Sequence, residues 1–491
     1  MHSSSFAGAA RDCGGILPLV PHREQAPAVC DAAEGVWRTR SELRDDALKI
    51  GEALGSDRKR VVFILADQSP GAIVSILASA SAGHAVALID PTMTEAKIAG
   101  LVDSYRPEFI LGAKAERLGW LADHGYGGAK ALADTIYLTE RTAKSGDAPA
   151  VDPSLFLLLA TSGTTGVPRF VRLAGSAVVA NAMQIAQSLD IGGESIGIAH
   201  LPLHYSYGWS VVASHLLVGA GVAVLDDNLM SKTFWDSIAR ARGTHLPGVP
   251  FHFATIARLG LNLIPECVTT FTQAGGALDV KVQKRLHDFV EGRQARFFVM
   301  YGQTEASPLM TTLPHAAFAA KVGSVGLALP GGRIGVEKDG AAVGAGEIGD
   351  VIYQGPNVML GYADERADLA KGDEMNGRLE TGDVGYLDGD GFLFLTGRTK
   401  RFAKIAGLRL GLDQMEKEFH AVGTVACIDG GEKILVFFDD APEPALKERA
   451  RAIAVEYKIP PTSFSLRRVD TIPRLTGGKV NYAQLKETVH V

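Results

Sequence analysis

Leu157-Leu-Leu-Ala160-Thr161-Ser-Gly163-Thr-Thr165-Gly166-Val-Pro-Arg169-Phe-Val-Arg-Leu173 joins an apolar run to a loop in which hydroxyls alternate with glycines. Leu155 to Ala160 reads as a buried strand. In the loop Thr161, Ser162, Gly163, Thr164, Thr165 and Gly166, backbone N–H groups and hydroxyls can close on an anion, because glycine leaves no Cβ in the way. The hexapeptide is therefore either a phosphate cradle or a flexible Ser/Thr/Gly connector. The choice depends on what surrounds it.

Upstream, Thr39 and Glu42 have capping-box spacing before an amphipathic run to about Leu54. Arg60 to Ala66 then reads as a strand, Pro70 to Ala82 as a helix, Ala85 to Ile89 as a strand, Met93 to Tyr105 as a helix and Phe109 to Leu111 as a strand. This βαβαβ order predicts a parallel sheet covered on both faces. His84 reads as a turn or sheet-end histidine, with no second ligand beside it. Downstream the alternation resumes: a helix over about Ser176 to Leu189, a strand at Ile196 to Leu201, a helix over about Trp209 to Val218 and a strand at Ala220 to Leu225. A second α/β lobe follows. Tyr205, Tyr207, Gly208 and Trp209 fall on the connection at the carboxyl end of a strand, where open α/β sheets bind ligands; packing into the core is the competing use of such aromatics. His200 and His204 are four apart, but Pro202 between them argues against a helix that would align them as metal ligands.

At 491 residues the chain is too long for one ordinary core, so two or three domains are expected. With 46% hydrophobic and 21% charged residues it has the balance of a globular protein. The net charge of −6 argues against nucleic acid or an anionic membrane as principal partner. Cys13, Cys30, Cys267 and Cys427 are far apart, which suggests neither a zinc site nor a disulfide framework and fits a reducing compartment. The first fifteen residues lack a signal-peptide pattern, and no apolar run has the length of a membrane span, so the cytoplasm is the expected location.

Two apparent motifs dissolve in context. Gly344-Ala-Gly346-Glu-Ile-Gly349 matches a dinucleotide fingerprint, but no apolar strand leads into it and a strand, Asp350 to Tyr353, follows where a helix belongs. Asp388-Gly-Asp390-Gly391 begins like a calcium loop, yet Phe392 and Thr399 stand where oxygen ligands belong, so a hairpin turn is the better reading.

The remaining signals are Gly275-Gly276-Ala277, Tyr301-Gly302-Gln303-Thr304-Glu305 after an apolar strand, Asp383 on a turn, Arg398 to Arg401, and Lys479 behind two glycines. Glu305 beside Thr304 suits magnesium and phosphate. Asp383 can accept both hydroxyls of a ribose or merely close its turn. Read in order, TSGTTGVPR, AGGAL, YGQTE, LETGDVGYLDGDGF, GRTKRFAKIAGLRLGLDQME and PRLTGGK strongly resemble the adenylate-forming superfamily of acyl-CoA synthetases, peptide synthetase adenylation domains and luciferases, over about residues 60 to 480.

The resemblance implies an α/β protein: a large N-terminal AMP-binding domain, 1–398, of α/β lobes with parallel sheets plus a β-rich subdomain, and a small mobile α+β domain, 399–491. It implies Mg-ATP-dependent formation of an acyl-AMP and pyrophosphate from a small carboxylic acid. The acyl group then passes to a thiol, CoA ahead of a phosphopantetheinyl carrier protein. An amine acceptor or a non-catalytic nucleotide-binding protein are the alternatives, and a monomer or homodimer is expected. Residue by residue it places Thr161 to Gly166 on the β- and γ-phosphates, Tyr301 on adenine against Gly275, Gly276 and Ala277, Gly302 and Gln303 in the same nucleotide site, Thr304 on the α-phosphate, Glu305 on magnesium, and Asp383 and Arg398 on ribose. Lys479 is the catalytic lysine, Lys400 the hinge, Gly407 the pantetheine-channel glycine, and Tyr205, Tyr207, Gly208 and Trp209 line the acid pocket. Three departures stand out: Arg169 replaces the usual lysine, Arg401 replaces an acid after the hinge, and Tyr205 takes the place of the gating histidine. The aromatic residues favour a short, medium or aromatic acid.

Overall fold

The computed structural model describes residues 24–488 apart from 134, 143–148, 162–168, 399–400, 406–407, 432, 458 and 476–477. Ser162 to Gly166, Lys400 and Gly407 therefore lie outside the described residues. The chain divides into two compact units, one of Met1–Ala320, Ala328–Arg333 and Gln354–Leu379, the other of Lys321–Leu327, Ile334–Tyr353 and Glu380–Val491.

In the first unit the run of buried apolar residues becomes strand Val61–Leu65, paired in parallel with Ala85–Ile89 on one side and Phe109–Gly112 on the other. Leu155–Thr161 extends the parallel set, with Val86 opposite Leu157. Local chemistry fixes the helix starts: Thr39 and Glu42 form a reciprocal capping box, and Ser69 caps Pro70–Ser81 by accepting from the Ala72 N–H, with proline at the first helical position. The expected order from Val61 to Gly112 is thus observed, the second helix starting at Glu95. Unforeseen is the strand Arg169–Ala174, antiparallel to Leu155–Thr161, so that Thr161 and Arg169 face each other across the ends of a β-hairpin.

That strand carries Arg172, whose side chain is fully buried. It donates to the carbonyls of Tyr362 at 3.1 Å and Leu360 at 3.3 Å and pairs with Glu374, which attaches the strand Gly361–Ala363 to the sheet edge. Arg366 in the same segment forms a forked pair with Glu108 at 2.8 and 3.1 Å, both side chains buried, and Glu108 also accepts from the Val61 N–H. Breaking such a pair from one side strands a charge and costs about 3–5 kcal/mol.

A second sheet of this unit runs, in spatial order, through Leu309–Leu313, Arg296–Gly302, Thr270–Gln273, His245–Gly248, Ile196–Ala199, Gly221–Val224, Pro27–Asp31 and Val36–Thr39. Its inner strands are parallel and its two outer pairs antiparallel. Helix Ser206–Leu217 begins earlier than its sequence suggests, which puts Tyr207, Gly208 and Trp209 in its first turn rather than on a loop. Gly208 is what permits this, because a Cβ there would lie 2.2 Å from the Pro202 carbonyl oxygen.

The second unit contains a five-stranded sheet in which Arg378–Leu387 and Leu393–Arg398 form an antiparallel hairpin. Its turn is closed by Asp388, whose N–H donates to the Phe392 carbonyl, while Lys321 pairs with Asp388 and Asp390. The acidic loop is thus a turn, and Gly349–Gln354 is the strand expected after the glycine triplet. Beyond it Val425–Asp429, Ile434–Phe438 and Phe464–Arg468 form a three-stranded sheet packed with helices Leu412–Phe419 and Glu443–Glu456 around Met415, Phe419, Val436, Phe438 and Ile453, an α+β arrangement. Arg401 lies over the ring of Tyr482 at 3.7 Å and pairs with Glu416 at 2.8 Å and with Asp413, which ties it into this body.

Candidate active site

Strand Arg296–Gly302 delivers Tyr301 and Gly302 at its carboxyl end, where the chain makes one 3₁₀ turn, Thr304–Ala306, and returns as Leu309–Leu313. Glycine is required at 302, since an added Cβ would meet the Pro308 carbonyl oxygen at 2.1 Å. Gln303 N–H donates to the same carbonyl at 2.9 Å. Asn357 donates to the carbonyls of Ala306 at 2.6 Å and Leu309 at 3.0 Å, and Asn181 donates to Leu309 at 2.8 Å. The turn is thus fixed by buried amides.

Its polar side chains have partners. Glu305 accepts a 2.8 Å hydrogen bond from the Tyr362 hydroxyl, and its carbonyl accepts from the Met359 N–H at 2.9 Å. The Arg169 guanidinium lies 3.6 Å from the centre of the Tyr362 ring. Burial and the adjacent Glu305 charge push the Tyr362 phenol up while Arg169 pulls it down, so it stays protonated and donates. Thr304 and Ser206 hydroxyls are 3.2 Å apart. The structure thereby unites Thr304 and Glu305 with three groups that the sequence motifs do not link, Ser206, Tyr362 and Arg169.

The neighbouring parallel strand, Thr270–Gln273, ends in Ala274-Gly275-Gly276-Ala277. Gly275 has φ +85°, and a Cβ on it would lie 2.7 Å from the Tyr205 hydroxyl oxygen, so Tyr205 lies directly on the glycine backbone. Gly276 and Ala277 are exposed, and Gln273 donates to the Gly276 carbonyl at 2.8 Å. Tyr301 is largely buried. Tyr205, Gly275, Tyr301, Thr304, Glu305 and Thr161 all lie at carboxyl ends of strands or in the connections just beyond, the usual ligand side of open α/β sheets.

Tyr207 and Trp209 are turned inward. The Tyr207 hydroxyl donates to the Thr272 carbonyl at 2.8 Å. Tyr207 also lines a cavity of about 20 Å³ shared with Ser214, His215, His245, Thr272 and Met300. His215 Nδ1 bonds the Val211 carbonyl at 2.8 Å, leaving its Nε2, like that of His245 and the Trp209 indole nitrogen, buried without a hydrogen-bond partner among the described residues. Burial lowers His215 to about 4 and holds His245 well below the ordinary imidazole range, so both rings are neutral. His204 approaches Asp90 at 3.7 Å and His200 bonds the Pro247 carbonyl at 2.7 Å, two separate partners.

In the second unit Asp383 and Arg398 are cross-strand partners in the hairpin, the guanidinium Nε donating to the carboxylate at 3.0 Å. Asp383 is buried; Arg398 is exposed over more than half its side chain. Lys479 is exposed on a turn closed by the bridge between Arg474 and Val480 and by hydrogen bonds from the Leu475 N–H to the Lys479 carbonyl and from the Gly478 N–H to the Leu475 carbonyl, both 2.8 Å.

Residues 20–363 match the family described as AMP-binding enzyme. The 2-succinylbenzoate–CoA ligase of Bacillus subtilis (strain 168) is 28% identical over 343 residues, 67% of this chain and 68% of that protein. Sulfoacetate–CoA ligase of Cupriavidus necator is 28% identical over 363 residues, 69% of this chain and 67% of that protein. Among solved structures, Bacillus subtilis o-succinylbenzoate CoA synthetase in complex with the acyl-adenylate intermediate OSB-AMP superposes with a TM-score of 0.76 at 21% identity, covering 96% of each chain. ATP-bound MatB from Rhodopseudomonas palustris does so with a TM-score of 0.77 at 22% identity, over 97% of this chain and 98% of that one. At these identities the superpositions speak for the fold.

Proposed function

Because the chain belongs to the AMP-binding enzyme family, we propose that it is an AMP-forming acid–thiol ligase, which activates a carboxylic acid with ATP and passes the acyl group to CoA. The observation that carries this reading is the Thr304–Glu305 turn at the carboxyl ends of the strands, with the Tyr362 hydroxyl bound to Glu305 and Arg169 lying on the Tyr362 ring. In the first step a carboxylate oxygen bonds to the α-phosphorus, and the bond to the bridging oxygen breaks with its electron pair leaving on pyrophosphate. In the second the CoA sulfur bonds to the acyl carbon, AMP leaves with the electron pair, and the thiol proton passes to solvent.

The first step brings two anions together. Unit charges about 4 Å apart repel by roughly 4 kcal/mol at an effective dielectric of 20, so fixed donors and cations must face the phosphates. Arg169 supplies a cation at the mouth of the 162–168 loop, whose Ser162 to Gly166 hold the β- and γ-phosphates together with Thr161. Thr304 donates to the α-phosphate. Glu305 suits magnesium, which takes one or two carboxylates plus phosphate oxygens; when bound, the ion screens the triphosphate. Tyr362 holds the Glu305 carboxylate in one orientation. Tyr301 stacks on adenine beside Gly275 and Gly276, Asp383 and Arg398 take the ribose, and Lys479, carried by a domain beginning near 399 and hinged at Lys400, bridges carboxylate and α-phosphate.

Tyr205, set directly on the Gly275 backbone at the carboxyl ends of the strands, narrows the space there and favours a short, medium or aromatic acid over a long chain. ATP–pyrophosphate exchange with a panel of acids, followed by addition of CoA, a holo carrier protein or an amine with mass-spectrometric detection, tests both steps. Exchange driven by one acid and an acyl-CoA product is the expected result. Exchange with no acid overturns the adenylation reading, and a carrier-bound or amide product replaces CoA as acceptor.

A further inference from the structure

Helix Val280–Gly292 carries His287 and Glu291 one turn apart on the same face. The chain leaving strand Leu309–Leu313 brings His315 against them. His287 Nε2 is 3.6 Å and His315 Nε2 3.1 Å from the same oxygen, Glu291 Oε1. All three ligand atoms lie within 4.8 Å of one another. Ligands about 2.0–2.1 Å from a tetrahedral zinc stand about 3.3 Å apart, so two edges of that tetrahedron are already formed.

The rings are held for this geometry. His287 stacks on Phe318 at 4.7 Å with 18° between planes, and His287 and His315 lie 5.0 Å apart at 34°. Phe318 is buried against Phe297. Asp288 Oδ1 is 4.0 Å from His287 Nδ1, beyond hydrogen-bond distance, on the far side of the ring from the ligand nitrogen. Glu291 is 58% exposed, which leaves an entry path and an open fourth position for water.

We propose that His287, Glu291 and His315 form a binding site for a zinc-class divalent cation that clips this helix to the end of strand Leu309–Leu313. Two imidazoles and one carboxylate suit zinc and its transition-metal neighbours, whereas magnesium takes oxygen ligands. Without metal, the His315 Nδ1 accepts from the Phe297 N–H at 3.4 Å and the proton on Nε2 bridges to Glu291. Metal takes the place of that proton, which relocates to Nδ1 at the expense of one long contact. Phe297 is four residues before Tyr301 on its strand, about 13 Å at 3.3 Å per residue, so the site is separate from the turn carrying Thr304 and Glu305.

The test is titration of chelator-treated, full-length protein with zinc alone, against a chromophoric competitor. One saturable zinc per chain is expected, undiminished by excess magnesium, with a zinc-dependent rise in unfolding temperature. His287→Ala/His315→Ala should abolish that binding. Glu291→Gln, whose side chain is largely exposed, should keep the metal-free unfolding temperature and weaken zinc by at least the roughly 10–100-fold that even outer-sphere changes produce. Absence of saturable zinc binding, or full affinity retained in Glu291→Gln and in the double variant, overturns the proposal.

Discussion

Two turns present the charged groups on which activation is proposed to depend, and they are built in opposite ways. Around Thr304 and Glu305 a glycine that tolerates no Cβ, two buried asparagine amides, a tyrosine hydroxyl and a guanidinium fix the turn. Lys479 sits exposed on a turn held by main-chain bonds between Leu475, Gly478 and itself, with positive φ at Gly478. The contrast matches the timing of need. A carboxylate toward metal and phosphate is used from the moment ATP binds, so rigidity lowers its reorganisation cost. A lysine bridging carboxylate and α-phosphate has nothing left to bridge once the adenylate has formed.

The largest effect should follow from removing the exposed charge. Lys479→Ala is expected to lower pyrophosphate exchange by about 10² or more, the scale for a donor aimed at transition-state charge. ATP affinity by titration and the unfolding temperature should hardly change, because the side chain is exposed. Exchange at the wild-type rate would remove Lys479 from the mechanism.

On the rigid side, Glu305→Gln keeps the shape and the Tyr362 contact while deleting the charge. A fall of about 10² in kcat together with a higher magnesium requirement is expected. Tyr362→Phe removes one hydrogen bond to a charged group, about 1.5–3 kcal/mol, so a fall of roughly ten- to a hundredfold with a smaller change in magnesium dependence should result. If Tyr362→Phe matched wild type in both respects, the carboxylate would not be held by that hydroxyl.

The same contrast governs what the chain revealed before its structure. Motif residues with local spacing, such as Gly302 through Glu305, and elements with strong periodicity, such as Val61–Leu65 and Pro70–Ser81, were legible because their determinants lie within a few residues. Tyr362 was not, since its partner Glu305 is 57 positions away. Strand Arg169–Ala174 was obscured by Arg172, a charge that a buried strand accepts only because the carbonyls of Leu360 and Tyr362 and the Glu374 carboxylate converge on it. The early start of Ser206–Leu217 depended on the approach of Pro202 to Gly208, a tertiary contact. The sequence had likewise given no reason to connect His287 and Glu291 with His315.

A weaker test separates the two units by acid. His215 and His245 are buried neutral in the first, with pKa values lowered by burial, His215 to about 4. Unfolded imidazoles titrate near 6.5, so between about 6.5 and 4 the unfolded chain binds more protons and stability drops as the pH is lowered, by about 1.4 kcal/mol per pH unit per group at most. Above 7 the two histidines contribute no slope. In the second unit His420 is exposed. Thermal unfolding followed from pH 7.5 to 4.5 should therefore show the first unit losing stability on this account, and His215→Gln should flatten that slope while lowering the whole curve.

The smallest expected effect concerns Arg169, whose guanidinium lies on the Tyr362 ring and so neighbours the turn carrying Glu305. Lysine keeps the charge but loses the planar guanidinium that lies flat on an aromatic face. A partly exposed cation–π contact contributes about 0.5–1 kcal/mol, so Arg169→Lys should raise the KM for ATP by about two- to fivefold with kcat nearly unchanged. A double-mutant cycle with Tyr362→Leu then decides how the residue acts. If the ring transmits its effect, Arg169→Lys should add little once the ring is gone, giving a coupling close to the whole single-mutant effect. Full additivity would mean that Arg169 acts on the phosphates alone, and the rigid half of the site would end at Tyr362 without reaching the loop.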